Sequence, residues 1–311
     1  MAADRPAETT PRRGGSSRAG GLALVTAGAT LVLILAGGLV TTTGSGDAIP
    51  TWPLSWGRLL PRDAGVGVWI EQNHRYLAGI VALLVGIVVI WVRKTEDRPW
   101  VRMWAYLALG GIVAQVLLGG LRILSPNLGP GVRAGVAIVH AVFGQVVFGA
   151  VVALSLFLRP SWRETDDDPH AAEARRIGVI TTAFAFLQLV AGAVTRHTGA
   201  GIVVHLVGAG LVLLHATLFA SRLMTSKLRG GGHLLMGLIA IQVILGLSAW
   251  SITGSAAVRS AEQPVGRILT VTSHVAVSAL ILATCLALTL RCFRAAKPAG
   301  AAASGMEPHP A

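Results

Sequence analysis

The stretch EQNHR, residues 71–75, places three ionisable side chains at the start of a long apolar run: Glu71, His74 and Arg75. Ionisable groups are costly near the interior of a bilayer, so their presence there indicates a functional site. Glu71 precedes His74 by three residues, which puts both side chains on one face if a helix begins before them. Such a carboxylate could move a proton or orient the histidine. The alternative is a carboxylate that only stabilises the helix N-terminus.

Four of the nine histidines follow a regular pattern, since one lies near the start of every second apolar run: His74, His140, His205 and His274. Two histidines that face each other across a four-helix bundle can bind one heme iron from both sides. The pattern therefore predicts two bis-histidine metal sites. For any single histidine, the alternative is a helix cap or an interhelical hydrogen bond. A zinc site would need cysteine or carboxylate ligands nearby.

The elements that must position these histidines are membrane helices. Of the 311 residues, 53% are hydrophobic and 13% are charged, whereas soluble domains contain about 25% charged residues. Apolar runs of about 20 residues, the length of a transmembrane helix, recur eight times, and we call them spans 1 to 8: 21–43, 74–93, 103–122, 134–158, 177–195, 202–221, 233–252 and 268–290. The sequence predicts an all-α integral membrane protein with eight transmembrane helices.

Two sequence matches divide the spans into halves. AGGLVTTTGSG at 36–46, the end of span 1, resembles AGAVTRHTGAG at 191–201, the end of span 5. QVLLGGL at 115–121 in span 3 resembles QVILGLS at 242–248 in span 7. The alternative is a chance likeness between glycine- and leucine-rich helices. Four spans per half make the halves parallel-repeat bundles, and the predicted units are a disordered tail at 1–20, a half at 21–158, a linker at 159–176, a half at 177–290 and a tail at 291–311.

The distribution of basic residues predicts the orientation in the membrane. Of 26 lysines and arginines, 18 lie in the tails and in the segments after the even-numbered spans. By the positive-inside rule, both termini are expected in the cytoplasm of a multi-pass protein of the cell (plasma) membrane. The net charge of +12 then reports topology and not a nucleic-acid partner. Cys285 and Cys292 fit no zinc or heme-attachment spacing, and we expect no disulfide between them.

The repeat, the four histidines and five motifs resemble the heme A synthase family over about residues 21–290. The motifs are GGLVTTTGSGDAIPTWPLSWGRLLP (37–61), EQNHRYLAG (71–79), HAVFGQ (140–145), TRHTGAG (195–201) and SHVAVSALILA (273–283). The resemblance implies successive oxidations of one methyl group of heme O to the formyl group of heme A, for cytochrome oxidase assembly. It also implies that the first half holds heme O between His74 and His140, and the second half holds heme b between His205 and His274. Glu71 corresponds to the family's essential acidic residue, which makes Glu71, His74 and His140 the expected catalytic residues.

Further side chains at the helix ends have predicted roles. Arg75 and Arg196 could pair with heme propionates, because guanidinium suits carboxylate geometry, although an arginine that snorkels to the membrane surface is equally compatible with both positions. Polar or structural roles are expected for His197 at a helix end, for His215 in span 6, and for Gln115 and Gln242 as interhelical hydrogen-bonding groups. An interfacial belt is expected for Trp52, Trp56 and Trp69, and the alternative is that one of these tryptophans packs on the substrate macrocycle.

Two features distinguish this chain within the resemblance. Many members have a cysteine pair in the first outward loop, whereas residues 44–73 contain none, which bears on mechanism. Between Gly46 and His74 lie 27 residues, but only three lie between Gly201 and His205. A single long loop suits a lid over the substrate half.

Three other functions are compatible with parts of this pattern. A diheme b-type cytochrome that transfers electrons across the membrane would use the same four histidines, but would need neither Glu71 nor the long loop. A small-molecule transporter would place its polar site near mid-membrane, unlike these histidines. A non-catalytic heme-binding homologue is the third alternative. The expected partners are heme O, the lipid bilayer, heme O synthase, oxidase assembly factors and further copies of the chain.

Overall fold

The structure is a computed structural model that describes residues 13–62, 64–124, 127–164, 168–254 and 264–295, with side chains from 18 to 252 and from 264 to 295 within those ranges. These residues form α-helices joined by short segments, two of which contain a 3-10 turn, Ser45–Asp47 and Pro160–Trp162. The helices are α1 (Arg13–Thr42), α2 (Val66–Thr95), α3 (Pro99–Leu124), α4 (Pro130–Phe157), α5 (Pro169–Glu173), α6 (Arg175–Thr198), α7 (Ile202–Leu223), α8 (Arg229–Gly254) and α9 (Val265–Ala295).

The predicted membrane architecture is confirmed. Eight of these helices, all except the short α5, are long and apolar enough to cross a membrane, and each coincides with one predicted span. Their outer surfaces are apolar as well as their cores, as in helices that face lipid. On α2, for example, Ile80, Leu83 and Ile87 are exposed, while Val81 and Val85 on the other side are buried.

Several helices begin earlier than the hydropathy predicted. Helix α2 begins at Val66, so Glu71 and His74 both lie within it, as their proposed common face requires. Helix α1 begins at Arg13, inside the predicted tail at 1–20, of which residues 1–12 lie outside the described residues, as does the C-terminal tail from 296. The predicted linker contains α5, whose first turn is capped by the Asp168 carboxylate through the Ala171 N–H at 3.1 Å.

The two sets of four helices have the same pattern of neighbours. In the first set α1 packs on α2 and α4, and α3 packs on α2 and α4. In the second set α6 packs on α7 and α9, and α8 packs on α7 and α9. The sets meet through α1 on α9, α4 on α6 and α4 on α9. This pattern is consistent with the predicted repeat, and the unit boundaries stay a prediction.

At one end of the bundle, a buried carboxylate joins the α2–α3 connection to the segment after α4. The Glu96 side chain is fully buried and accepts hydrogen bonds from Arg98 at 2.8 Å and from Arg163 at 2.9 Å. Arg294 on α9 donates to the carbonyls of Trp162 and Arg163. These contacts tie the α2–α3 connection and the C-terminal end of α9 to the segment after α4. The histidines lie towards the opposite end, where α1, α3, α6 and α8 finish, and we call it the histidine end.

Candidate functional site

Each of the four patterned histidines packs its imidazole against a glycine on the preceding membrane helix. A Cβ atom added to the glycine would lie 3.1 Å from Cε1 of the histidine at Gly37 with His74, Gly192 with His205 and Gly246 with His274, and 3.5 Å at Gly119 with His140. The missing Cβ lets each ring lie close to the neighbouring backbone. The ring positions are therefore set by the absence of a side chain on the facing helix.

These four glycines also occupy equivalent positions in the two sequence matches. Gly37 and Gly192 are the second residues of the aligned AGGLVTTTGSG and AGAVTRHTGAG segments. Gly119 and Gly246 are the fifth residues of QVLLGGL and QVILGLS. A sequence repeat and a recurring structural contact thus identify the same positions, which supports the pairing of the histidines by halves. Gly37, Gly119, Gly192 and Gly246 had no predicted role, although the repeat contained the signal.

His205 and His274 face each other across the second set of helices. Their ring centroids lie 6.3 Å apart and their planes are inclined by 70°. Two ring nitrogens that bind one metal ion at about 2.0–2.1 Å each would be separated by about 4 Å, with the centroids roughly 1 Å behind each nitrogen. The observed separation therefore fits two imidazoles on opposite sides of one metal ion.

Glutamine amides accompany this pair. The side-chain nitrogen of Gln188 lies 3.0 Å from Nδ1 of His205 and donates to its carbonyl at 2.9 Å. The side-chain nitrogen of Gln242 lies 3.3 Å from Nε2 of His274. Polar groups next to a metal-binding histidine fix its ring orientation. The interhelical role predicted for Gln242 and Gln115 matches these contacts, since Gln115 donates to the carbonyl of His140 at 3.1 Å.

His74 and His140 form the corresponding pair in the first set. Their rings pack on Gly37 and Gly119, which lie in the first-half segments of the two sequence matches. Among the described residues, Nδ1 of His74, His140 and His274 is buried without a hydrogen-bond partner. Buried polar atoms are seldom left unpaired in a finished protein, so these rings have the donor chemistry expected where a further group binds. No cluster of three or more His, Cys, Asp or Glu side chains suited to a metal occurs in the described ranges.

Glu71 is buried and paired. One of its carboxylate oxygens accepts a hydrogen bond from the Ile49 N–H at 2.9 Å, and the other accepts one from Nη2 of Arg75 at 2.6 Å. Arg75 also donates to the carbonyls of Thr51 at 2.8 Å and Ile49 at 3.1 Å. This ion pair therefore fastens the 48–51 segment to α2.

The rest of the loop is fastened by the neighbouring side chains of α2. Gln72 contacts the hydroxyl of Ser55 and donates to the carbonyl of Leu59 at 3.2 Å. The Tyr76 hydroxyl donates to the same Leu59 carbonyl. One side of the EQNHRY stretch thus holds the long loop, while His74 points to Gly37 on α1.

The two arginines expected at heme propionates make protein contacts instead. Arg75 donates to the Glu71 carboxylate and to the carbonyls of Ile49 and Thr51. Arg196 on α6 donates to the Gly38 carbonyl at 2.7 Å and to the Thr42 hydroxyl at 2.6 Å, both on α1 of the other set. A propionate contact for either arginine stays a prediction that these hydrogen bonds do not support.

The remaining side chains with predicted structural roles separate into two groups. Trp56 and Trp69 are 50% and 39% exposed, as interfacial belt residues would be. Trp52 instead packs its indole on Gly120 of α3, beside the Gly119 that faces His140. His215 lies 2.8 Å from the Leu211 carbonyl through Nδ1 and contacts the Phe184 ring, which fits its structural interpretation. Cys285 and Cys292 are buried free thiols.

A cavity that the sequence did not predict lies at the histidine end. It has a volume of about 330 Å³ and includes Asp47, Arg122, Arg133 and His197 in its wall. His197, expected to be a polar residue at a helix end, therefore lines a charged cavity between the two sets of helices. Arg122 and Arg133 were not among the predicted site residues.

Comparison with known proteins bears on the same residues. The family model described as "Cytochrome oxidase assembly protein" matches residues 21–208. That range includes His74, His140 and His205, but it ends before α8 and α9. His274 is brought to the site by the fold alone, through its contact with His205.

Several curated relatives are named heme A synthase. One from Shouchella clausii is 32% identical over 183 residues, which cover 58% of this chain and 59% of that protein. One from Exiguobacterium sp. is 30% identical over 57% of this chain and 56% of that protein, and one from Lysinibacillus sphaericus is 28% identical over 56% of each. The chain thus matches somewhat more than half the length of these relatives. Since the family model covers more than half of this chain, the chain belongs to the cytochrome oxidase assembly protein family, together with the heme A synthases that it resembles.

Proposed function

We propose that the protein is a heme A synthase, which oxidises one methyl group of heme O to the formyl group of heme A for cytochrome c oxidase assembly. The observation that carries the proposal is the histidine–glycine contact that recurs four times, together with the 6.3 Å between the ring centroids of His205 and His274. The relatives named heme A synthase support it independently. In this proposal His74 and His140 bind the iron of the substrate heme O, and His205 and His274 bind heme b.

The protein's own residues have distinct tasks in this proposal. His74 and His140 orient the substrate macrocycle, and their glycine contacts keep the rings in one place. Glu71 is one helical turn from His74, so its carboxylate is suited to hold or accept a proton at the substrate edge. Its bonds to Ile49 and Arg75 hold the 48–51 segment against α2, and in this proposal the long loop covers the substrate edge. Heme b, when bound, would supply electron transfer to or from the substrate side.

The membrane placement is part of the same proposal. With both termini in the cytoplasm, the histidine end faces the outer side of the cell membrane, and the Glu96 cluster faces the cytoplasm. The first half, residues 21–158, is then the substrate unit, and the second half, residues 177–290, is the heme b unit. Heme O synthase and assembly factors are the proposed partners, since the substrate is too apolar to diffuse freely through water.

The experiment is heme extraction and mass analysis after co-expression with a heme O synthase, comparing the wild type with Glu71→Ala. We expect heme A from the wild type, and heme O or a hydroxylated intermediate from the variant. Arg62→Ala is the control, because Arg62 is exposed and lies in the same loop. Heme b alone from all three proteins, with a low-spin bis-histidine spectrum, would overturn the synthase and favour a diheme electron-transfer cytochrome.

A further inference from the structure

The cavity at the histidine end carries an excess of positive charge next to the substrate histidines. Arg122 and Arg133 line it with side chains that are 28% and 38% exposed. His197 reaches the same space from α6. The acidic residue in the wall is Asp47. A partly exposed site with two guanidinium groups is suited to bind a carboxylate.

Asp47 shows the geometry with which this site receives a carboxylate. Its oxygens lie 2.8 Å from Nη2 of Arg133 and 3.8 Å from Nη2 of Arg122. The Asp47 side chain is 58% exposed and belongs to the short turn after α1. An exposed ion pair of this kind is weak, so a ligand carboxylate can compete for the two arginines.

The register of α4 places this cavity directly beyond His140. Arg133, Ala137 and His140 are spaced by four and three residues, so they lie along one face of the helix. Arg133 is about 10 Å from His140 along the axis, at 1.5 Å of rise per residue. Arg122 lines the same cavity as Ala137, which lies one turn before His140 on α4. Arg133 therefore lies about two helical turns from a macrocycle bound at His140.

The second half has the same spacing between an arginine and its patterned histidine. RAGVAIVH at 133–140 and RILTVTSH at 267–274 each place an arginine seven residues before the histidine. Nε of Arg267 is buried and has no hydrogen-bond partner among the described residues. Arg267 is also close enough to Arg196 to repel it electrostatically. An unpaired buried guanidinium nitrogen next to a second cation is a place where an anion would be stabilised.

We propose that Arg133, assisted by Arg122, binds a propionate carboxylate of heme O, and that Arg267 binds a propionate of the second heme. This inference rests on the proposed function, and it reassigns the propionate contact from Arg75 and Arg196. Arg75 makes three hydrogen bonds within the protein and Arg196 makes two, whereas Arg122 makes one, to the Gly46 carbonyl at 3.3 Å. Arg133 and Arg267 are binding and positioning residues in this proposal.

The test is a titration of the purified full-length protein with protoheme and with its dimethyl ester, in which both carboxylates are masked. The His274→Ala variant removes a ligand of the second heme site, so its absorption spectrum reports the site of His74 and His140. The His140→Ala variant likewise reports the site of His205 and His274. Arg133→Gln is examined in the first background and Arg267→Gln in the second. Arg62→Gln is the matched control, and Arg133→Lys keeps the charge but loses the two-pronged geometry.

With the arginines intact, we expect the protein to bind protoheme about 10- to 100-fold more tightly than the diester. The reason is one charge-assisted hydrogen-bonded contact that only a free carboxylate can make. Arg133→Gln should abolish that preference by weakening protoheme alone, and Arg133→Lys should restore part of it. Arg267→Gln should do the same in its own background. Circular dichroism and gel filtration of each variant separate this effect from misfolding.

Two outcomes would count against the proposals, and they are distinguishable. If both backgrounds bind protoheme but Arg133→Gln and Arg267→Gln weaken protoheme and diester equally, or not at all, the carboxylate assignment is overturned while the heme sites stand. If neither His274→Ala nor His140→Ala binds heme while its arginines are intact, the proposed function itself fails.

Discussion

Nη2 of Arg75 lies 2.6 Å from Oε1 of Glu71, one turn away on α2, and both groups also bond the backbone at residue 49. The carboxylate is almost fully buried. A pair of this kind joins the long loop to the helix that carries His74. Removing one partner would leave a buried charge uncompensated, at a cost of about 3–5 kcal/mol.

Arg75→Met should therefore release the loop and leave the rest of the bundle folded. We expect faster trypsin cleavage after the exposed Arg58 and Arg62, together with a lower thermal midpoint. Arg93→Met, which changes an exposed arginine at the other end of α2, is the matched control and should change cleavage little. The double variant Glu71→Gln with Arg75→Met should be less destabilised than the sum of the single variants, because no charge remains unpaired. Unchanged cleavage in Arg75→Met would contradict this account.

Alanine at the glycines that face the histidines should displace the rings. At Gly192 and Gly246 the added Cβ would lie 3.1 Å from the imidazole, so the ring must shift from its preferred position. Off-rotamer side chains cost about 0.5–1.5 kcal/mol, which corresponds to roughly two- to tenfold weaker heme binding. A spectroscopic heme titration measures this.

The chain offers graded controls for that experiment. Gly119→Ala should be tolerated, because its Cβ would lie at an ordinary 3.5 Å from His140. Gly210→Ala, on α7 with open space around the added atom, should leave binding unchanged. If Gly210→Ala weakened binding as much as Gly192→Ala, general helix effects would explain the result better than ring contact.

Arg196→Gln should loosen the contact between the two sets of helices. The arginine on α6 donates to the Gly38 carbonyl and the Thr42 hydroxyl on α1, and hydrogen bonds from a charged donor contribute about 1.5–3 kcal/mol. A fall in the thermal unfolding midpoint is the expected result. Thr42→Val removes one of the two acceptors and should produce a smaller fall. Equal midpoints for Arg196→Gln and the wild type would show that packing alone holds this interface.

At the opposite end of the bundle, an ion pair outside the membrane helices should make the free energy of unfolding depend on pH. The hydrogen bond from Arg163 lowers the pKa of the exposed Asp97 carboxyl below its usual range. A lowered folded-state pKa contributes stability above the ordinary aspartate pKa of about 3.9, and that contribution is lost as the pH falls through the folded-state pKa. Arg163→Gln should flatten this acid-side loss, but only slightly because Asp97 is exposed. Chemical unfolding from pH 7 down to about pH 1.5 measures it, because the loss lies below the ordinary aspartate pKa, and Arg159→Gln is the control. Identical acid-side slopes in the two variants would rule out the contribution.

The sequence predicted helices more successfully than contacts. All eight spans followed from hydropathy, because lipid-facing and core-facing positions are both apolar in this fold. The pairing of His205 with His274 followed from their equivalent places in the repeat. The partners of Arg75 and Arg196 did not follow, since the carbonyls they bind lie 24 and 158 residues away in the chain.

The charged cavity was beyond sequence reasoning for a related reason. Its wall combines the turn after α1, the end of α3, the start of α4 and the end of α6. Only the packing of one set of helices on the other brings Asp47, Arg133 and His197 together. The repeated spacing of Arg133 and Arg267 before a histidine was visible in the sequence, but an arginine near a membrane surface is too common to indicate a ligand by itself.

The contacts between the two sets of helices have the form of a dimer interface. Helix α1 meets α9 and α4 meets α6, while α4 and α9 touch each other. If α1 corresponds to α6 and α4 to α9, these are the self-complementary contacts of a twofold-symmetric pair, in which the same surface is used from both sides. If the chain were cut within residues 165–167, its two fragments would then carry matching surfaces and act as partners. Such fragments, co-expressed in one membrane, should reassemble into a single complex.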